Sequence, residues 1–212
     1  ALGLGLLIVP VYGIGIGRPL PELAAEGIAG VVLLALLARH QLRRPDPLLP
    51  LDLLKIAPIR LSLGTALCAY IVQVLCYVAL PFYFHQILHF PLGDIGWAMT
   101  PWPLTVAAAS YVSGRLSDRY APGLISTIGL GILIVGLAAL ALLSGSESFV
   151  DIAWRMSLCG LGFGFFLPPN SKTIIANASP TRSGSASAIQ SAGRLFGQCL
   201  GATIVAVAFG LA

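Results

Sequence analysis

Charged residues are scarce in this chain. Asp, Glu, Lys and Arg make up 9% of its 212 residues, whereas about a quarter of the residues in a soluble domain are charged. Hydrophobic residues account for 57%, and the mean hydropathy is +0.91. This composition excludes an ordinary soluble globular protein and indicates a chain that lies largely within a lipid bilayer.

Metal-ligand and disulfide patterns are also absent. The sequence has four cysteines and three histidines, and they form no C-x-x-C or Cys/His ligand spacing. Cys68 and Cys76 lie eight residues apart in one apolar stretch, about 12 Å along a helix, which is too far for a disulfide. We therefore expect buried thiols, no bound metal and no cofactor.

The distribution of charged residues disfavours two further classes of protein. The net charge of +4 is spread over several short loops, whereas a nucleic-acid-binding protein clusters its basic residues on one water-exposed face. A membrane enzyme would need His or acidic residues grouped at one membrane depth, and no Asp or Glu lies near the middle of an apolar stretch. The chain begins with Ala and shows no charged leader with a cleavage site, so we expect it to be a piece of a longer protein.

Seven apolar stretches fill the sequence. A bilayer core of about 30 Å needs roughly 20 apolar residues per helix, and most of the stretches reach that length. The sequence therefore predicts an all-α polytopic membrane protein with about seven transmembrane helices. They are expected at 1–17, 23–38, 61–84, 95–116, 122–144, 149–177 and 184–212.

Basic residues fall mainly on alternate joints between these stretches. The joint 39–60 carries five of them and 115–121 carries two, whereas 85–94 and 145–148 carry none. Because positive charge is retained on the cytoplasmic side, the joints with basic residues are predicted to lie inside. The first helix then runs from inside to outside, and the last one ends outside.

The joints divide the chain into three predicted parts. Residues 1–40 form a hairpin of two helices, and residues 41–60 form a cytoplasmic amphipathic linker along the inner membrane surface. Residues 61–212 form a helical bundle. Within the bundle, Asp94 is a predicted N-cap of the fourth helix, and Ser148-x-x-Asp151 resembles a capping box for the sixth.

Glycines recur every four residues on two of the predicted helices. Small residues at that spacing allow two helix backbones to approach closely, so we expect helix packing at these positions. A role in letting the helices slide or rock during a functional cycle is the alternative. The glycines are Gly160, Gly164, Gly193, Gly197 and Gly201.

A polar turn ends the fourth predicted helix. The run Gly114-Arg115-Leu116-Ser117-Asp118-Arg119 resembles the G-x-L-x-D-R/K loop motif of the major facilitator superfamily, in the form found in the C-terminal half. The resemblance implies a gate on the cytoplasmic side, in which the carboxylate meets a helix N-terminus or a basic partner on the next helix. Its residues would be Gly114, Leu116, Asp118 and Arg119. A solvated turn is the alternative interpretation.

Further segments resemble the 14-helix drug:proton antiporter family within that superfamily. They include 80–84, 100–104 and 161–170, and the pattern at 182–202 is similar to the methyl viologen resistance pumps, which export quaternary ammonium compounds. The resemblance implies a partial major facilitator fold. Residues 1–40 would be the extra hairpin between two bundles, and 61–212 would be a C-terminal bundle that lacks its last helix.

The resemblance also implies a function. We expect part of a secondary transporter that exports amphipathic cations in exchange for protons by alternating access, in a bacterial inner membrane. The proton gradient would supply the energy, and lipid, a small organic cation, protons and the missing N-terminal bundle would be its partners. Because no span has a central acid, the proton-coupling carboxylate is expected in the missing half. A facilitator-type permease for another solute and an inactive truncated fragment are the alternatives.

Several polar, proline and aromatic residues are candidates for the transport path. Pro168 breaks the hydrogen-bond ladder before Asn170, and the freed carbonyls would either line the path or serve packing alone. Arg194 lies deep in the last helix, where a role in gating or packing is expected because a fixed cation is a poor ligand for a cation. The candidates are Gln73, Pro101, Trp102, Pro103, Pro168, Asn170, Arg194 and Gln198.

Overall fold

The computed structural model describes residues 51–145 and 147–210, together with two isolated helical positions, Val32 and Leu36. Apart from those two positions, the predicted hairpin at 1–40 and the first half of the linker lie outside the described residues. Within the described ranges the chain forms six α-helices, two short 3-10 helices and no strand. This confirms the predicted all-α class.

The helices follow the apolar stretches closely. In the described part of the chain, four segments are long and apolar enough to cross a membrane: α1, α4, α5 and Pro180–Ala208, which contains most of α6. The two 3-10 helices, Leu51–Lys55 and Pro180–Arg182, precede α1 and α6. The helices are α1 (Ala57–Gln86), α2 (Leu92–Met99), α3 (Pro101–Leu116), α4 (Pro122–Ala141), α5 (Phe149–Ala176) and α6 (Ser183–Gly210).

The single helix predicted at 95–116 is divided into α2 and α3. Pro101 and Pro103 have no N–H with which to continue the ladder across the joint. Thr100 between the two helices keeps helical backbone angles, φ −63° and ψ −35°, and its Oγ1 donates to the Gly96 carbonyl at 2.7 Å. The two helices therefore follow one another as one broken helix, with the break at the prolines.

The predicted caps had different outcomes. Ser148 and Asp151 form the predicted capping box at the start of α5. The prediction for Asp94 was wrong, because α2 begins at Leu92 and Asp94 lies in its first turn. Pro91 is already extended, and its carbonyl accepts the backbone N–H of Asp94 at 2.9 Å, so the helix has begun before Asp94 is reached.

The chain divides into two compact units, and the boundary falls inside α1. The described part of the first unit comprises 51–78 and 178–210, and the second unit is 79–177. In the first unit α6 packs against α1. In the second unit α5 lies between α3 and α4 and packs against both, so it is the central helix of that unit.

Glycines bring α4 and α5 into backbone contact. A methyl group placed on Gly129 of α4 would lie 2.5 Å from the Phe166 amide nitrogen and 2.7 Å from the Phe165 carbonyl carbon. On the facing helix, a methyl group on Gly162 would lie 2.9 Å from the Gly129 carbonyl oxygen. Both positions therefore require glycine for the observed helix separation.

The glycines singled out in the sequence lie at similar approaches, with one exception. A methyl group on Gly164 would meet an α3 carbonyl oxygen at 2.7 Å, and Gly160 also faces the α3 backbone. In the first unit, Gly197 and Gly201 would meet α1 carbonyl oxygens at 2.9 and 2.8 Å. Gly193 has only an ordinary side-chain contact at 3.6 Å, so close backbone approach does not explain that glycine.

The packing of α4 on α5 generates a prediction with an internal control. Gly129→Ala should destabilise the protein by about 1–3 kcal/mol, because its methyl group meets backbone atoms that cannot move aside. Gly131 lies two residues away on the same helix with open space around it. Gly131→Ala should leave stability unchanged or raise it by up to about 1 kcal/mol. Thermal unfolding of the purified full-length protein in detergent measures both, and equal losses would refute the packing.

Candidate functional site

The turn between α3 and α4, residues 117–121, is held by hydrogen bonds within itself and by a contact with α5. α3 ends at Leu116, and the amides of Arg119 and Tyr120 donate to the Leu116 carbonyl at 3.0 Å each. Ser117 is buried, and its Oγ donates to the Gly114 carbonyl at 2.7 Å. The turn is therefore fixed by its own hydrogen bonds.

Lys172 of α5 reaches this turn from the neighbouring helix. Its Nζ donates to the Asp118 carboxylate and to the Ser117 carbonyl, at 2.7 Å in both cases. The side chains of Lys172 and Asp118 are 42% and 72% exposed, and exposed ion pairs contribute little to folding stability. The contact therefore serves to hold the position of the turn against α5.

The pair is stable across neutral pH. The Lys172 ammonium, through its hydrogen bond and then its charge, holds the pKa of the Asp118 carboxyl below its usual range. Because this pKa is lowered, the contribution of the pair is complete above the ordinary pKa of an aspartate. It is lost only as the pH falls through the lower, folded-state pKa. Asp118 is therefore ionised at physiological pH.

The other residues of the motif have separate surroundings. A methyl group on Gly114 would meet nothing within 4 Å, so tight helix packing does not explain this glycine. Leu116 is half-buried, and Arg119 is exposed. Arg115 stacks its guanidinium over the Tyr111 ring, 4.3 Å from the centroid. Of the motif's charged residues, Asp118 is the one that is tied to α5.

Two hydroxyl groups bind carbonyls of α5 near its two prolines. Pro168 has no N–H to donate to the Gly164 carbonyl, and the fully buried Ser113 of α3 donates its Oγ to that oxygen at 2.8 Å. Ser126 of α4 donates to the Phe166 carbonyl at 3.4 Å. A membrane helix must satisfy its polar backbone internally, so this freed carbonyl serves packing between helices.

The path candidates of the second unit lie at different depths. Trp102 is 1% exposed and its carbonyl lies beside Gly160 of α5. Asn170 is 4% exposed and lies ten residues further along α5, about 15 Å away along the axis. Pro101 begins α3, and Pro103 is exposed. These candidates therefore do not form one cluster within the unit.

The remaining path candidates belong to the first unit. Gln73 on α1 and Gln198 on α6 are half-buried, whereas Arg194 on α6 is exposed. The Arg194 charge lies within electrostatic range of the Tyr70 hydroxyl on α1, near the place where Gly197 contacts the α1 backbone. The structure thus brings Arg194 and α1 together at mid-helix.

A second ion pair ties the linker to the start of α6. The Arg182 guanidinium donates to both carboxylate oxygens of Asp52, at 2.5 and 3.0 Å. The pair holds the pKa of Asp52 below its usual range. Leu53 beside it is buried, so the 3-10 helix at Leu51–Lys55 has one apolar and one charged side. Asp52 and Arg182 are 130 residues apart, and no local pattern predicts their pairing.

The described residues form an apolar cavity but no cluster of metal ligands. Within 51–145 and 147–210, no group of three or more His, Cys, Asp or Glu side chains is placed to hold a metal ion. A shallow, apolar cavity of about 240 Å³ lies between α3 and α5. It is lined by Thr105, Ala108, Ala109, Val112, Leu161 and Phe165. None of the predicted path residues lines it.

The hydroxyl bond to α5 generates a second prediction. Ser113→Ala should lower stability by between about 0.6 and 3 kcal/mol, because it leaves the Gly164 carbonyl buried without a donor. Thr127→Ala is the control, since Thr127 is exposed and bonds only the Gly123 carbonyl of its own helix. Chemical unfolding in detergent compares the two, and a Thr127 loss as large as the Ser113 loss would contradict the assignment.

Comparison with known proteins adds relatives to this geometry. The uncharacterized transporter YebQ of Escherichia coli K12 is 42% identical over 207 residues, which cover 98% of this chain and 45% of YebQ. The riboflavin transporter RibZ of Clostridioides difficile is 26% identical over 158 residues, 74% of this chain and 35% of RibZ. The multidrug efflux pump LfrA of Mycolicibacterium smegmatis is 25% identical over 190 residues, 88% of this chain and 37% of LfrA. The chain spans less than half the length of each.

The family model agrees with the helices. The model of the Major Facilitator Superfamily matches residues 1–202. The described part of the chain supplies the long apolar helices of a multi-pass membrane protein, which is consistent with the predicted partial fold. The chain therefore belongs to the major facilitator superfamily.

Proposed function

We propose that this chain is the C-terminal part of a secondary transporter that exports amphipathic organic cations, quaternary ammonium compounds among them, in exchange for protons. The observation that carries the proposal is the contact of Lys172 with Asp118 and Ser117. It joins the gate motif of the superfamily to the central helix of the second unit. The likeness to a multidrug efflux pump over 88% of the chain supports the choice of substrate.

The gate would act at the cytoplasmic side. Lys172 links the inner turn to α5, so a movement of α5 would be transmitted to the turn and to α4 beyond it. An exposed ion pair can hold such a turn in place without adding much stability, which keeps the conformations of a transport cycle close in free energy. The alternating basic joints favour this inner placement, and a bacterial inner membrane is the proposed location.

Proton coupling follows from the energetics of cation export. Moving one cation outward against 100 mV costs about 2.3 kcal/mol, so export needs an inward flow of protons. Asp118 is a poor candidate for the proton carrier, because Lys172 keeps its pKa low. The described acids nearest the spans, Asp94 and Asp151, lie in first turns of helices. The coupling carboxylate is therefore proposed in the rest of the protein.

The proposal is tested with the full-length gene in a bacterial host that lacks its own drug pumps. Cells expressing it should accumulate less ethidium and methyl viologen than cells with the empty vector, and a proton uncoupler should abolish the difference. Asp118→Asn should reduce this efflux several-fold, because Lys172 then loses its partner. Asp94→Asn makes the same chemical change at an exposed outer position and should leave efflux unchanged.

Two outcomes would count against the proposal. Accumulation equal to the empty vector, with or without the uncoupler, would remove cation export. An equal loss of efflux in Asp118→Asn and Asp94→Asn would remove the gate from the proposal. The alternative is a transporter for another small solute, which the 26% identity to a riboflavin transporter favours. It would give riboflavin uptake or efflux in the same cells where ethidium accumulation is unchanged.

A further inference from the structure

Arg194 lies deep within a helix that is long enough to cross the membrane. It is eleven residues beyond Ser183, where α6 begins, which corresponds to about 16 Å along the axis. That position is near the middle of a hydrocarbon core about 30 Å thick. Ionisable residues at such depth are costly, and they face protein or a water-filled cavity.

The exposed surface of α6 has a polar side and an apolar side. Ser187, Ser191, Arg194 and Gln198 fall within about 60° of one another around the helix axis, and the first three are exposed. The exposed large apolar residues of the helix lie largely away from that stripe. They are Leu195, Phe196, Ile204 and Val207. The apolar side suits lipid, and the polar stripe suits a wet or protein-lined surface.

The guanidinium of Arg194 is unpaired in the residues that the structure describes. No carboxylate of these ranges forms an ion pair with it, and it has no hydrogen-bond partner among them. Its charge lies within electrostatic range of the Tyr70 hydroxyl on α1. A cation at this depth in a membrane is normally paired with another group. That group must therefore come from outside the described residues.

We infer that Arg194, with Gln198 and Ser191 beside it, forms an intramembrane site for a carboxylate. A guanidinium binds a carboxylate through two parallel N–H donors, and the neighbouring amide and hydroxyl can donate to the remaining lone pairs. Two sources share this chemistry: an acidic side chain in the rest of the protein, or a carboxylate carried by the transported solute. For the second source the inference rests on the alternative function, transport of another small solute, and for neither source does it rest on cation export.

The first arm of the test concerns a carboxylate of the protein itself. Thermal unfolding of the purified full-length protein in detergent is measured between about pH 4 and pH 8, a range that spans ordinary and raised carboxyl pKa values. In Arg194→Gln the carboxyl stays in the membrane without its cation, which raises its pKa. It therefore takes up a proton as the pH falls, and the cost of the missing partner then disappears. The Tm difference between wild type and Arg194→Gln should therefore be largest at neutral pH and shrink on acidification.

Arg60→Gln is the matched control. Arg60 is exposed near the start of α1, and its loss removes the same charge from the same unit. Its Tm difference from wild type should not depend on pH. Arg194→Lys keeps the charge without the planar donor pair. Its Tm should therefore depend on pH almost as the wild-type Tm does. If Arg194→Gln does not fold, Arg194→Lys carries the second arm.

The second arm concerns a carboxylate of the solute. Fluorescein, which carries a carboxylate, and ethidium, which is a cation, are added separately at neutral pH. Fluorescein should raise the Tm of wild type and of Arg60→Gln. Arg194→Gln or Arg194→Lys should need at least about tenfold more fluorescein for the same rise, which corresponds to about 1.4 kcal/mol of binding free energy. Ethidium should not distinguish the variants.

A positive result in either arm supports the site and identifies the source of the carboxylate. A pH-independent Tm difference for Arg194→Gln, together with identical fluorescein responses in all variants, would overturn it. These measurements need no transport. If cation export fails while either arm is positive, the proposed function is lost and the carboxylate site stands. If export succeeds while both arms are negative, the carboxylate site is lost and the proposed function stands.

Discussion

Backbone contact between α5 and its two neighbours is the constraint on which the second unit depends. Gly129 and Gly162 let α4 approach α5, and Gly164 lets α3 approach it from another side. At these separations a hydroxyl of α3 reaches the Gly164 carbonyl, and Lys172 reaches the turn between α3 and α4. A wider spacing would remove both contacts together. The glycines therefore set the position of the turn between α3 and α4 relative to α5 without contacting its ion pair.

The same packing also satisfies a backbone carbonyl that the prolines of α5 leave without a donor. A membrane helix with an unpaired carbonyl would be unstable in hydrocarbon, where no water can bond it. Ser113 supplies the missing donor for the Gly164 carbonyl from α3, so packing against α3 offsets part of the cost of the proline segment. Lys172 follows one turn later on the same helix. The proline segment and the ion pair are thus two attachments between α3 and α5, at successive depths.

Much of the fold could be predicted from the sequence, because hydropathy and length decide which segments enter a membrane. The bounds of α1 and α5 differ from the predicted helices by only a few residues, and the capping box is local enough to be recognised. The break at Thr100 was missed because a hydropathy pattern does not register lost N–H donors. Asp94 failed as a cap for a related reason, since Pro91 begins the helix before it.

The site was less predictable. The motif at 114–119 identified Asp118 but not its partner, because Lys172 lies 54 residues away. Lys172 lies within an apolar stretch, and the surrounding sequence does not indicate which face of the helix it occupies. The same holds for Asp52 and Arg182, whose pairing depends on how the linker folds back. For Arg194 the depth could be read from the sequence. Its exposed polar stripe and missing partner required the structure.

The central claim is that the turn between α3 and α4 acts through its charge pair with α5. The most direct measurement is uncoupler-sensitive ethidium efflux by the full-length protein carrying Asp118→Lys, Lys172→Asp, or both. Each single change places two like charges side by side, and the double change restores an opposite pair at the same separation. The account predicts low efflux for both single variants and substantial recovery in the double variant. Efflux in the double variant no better than in the weaker single variant would contradict it.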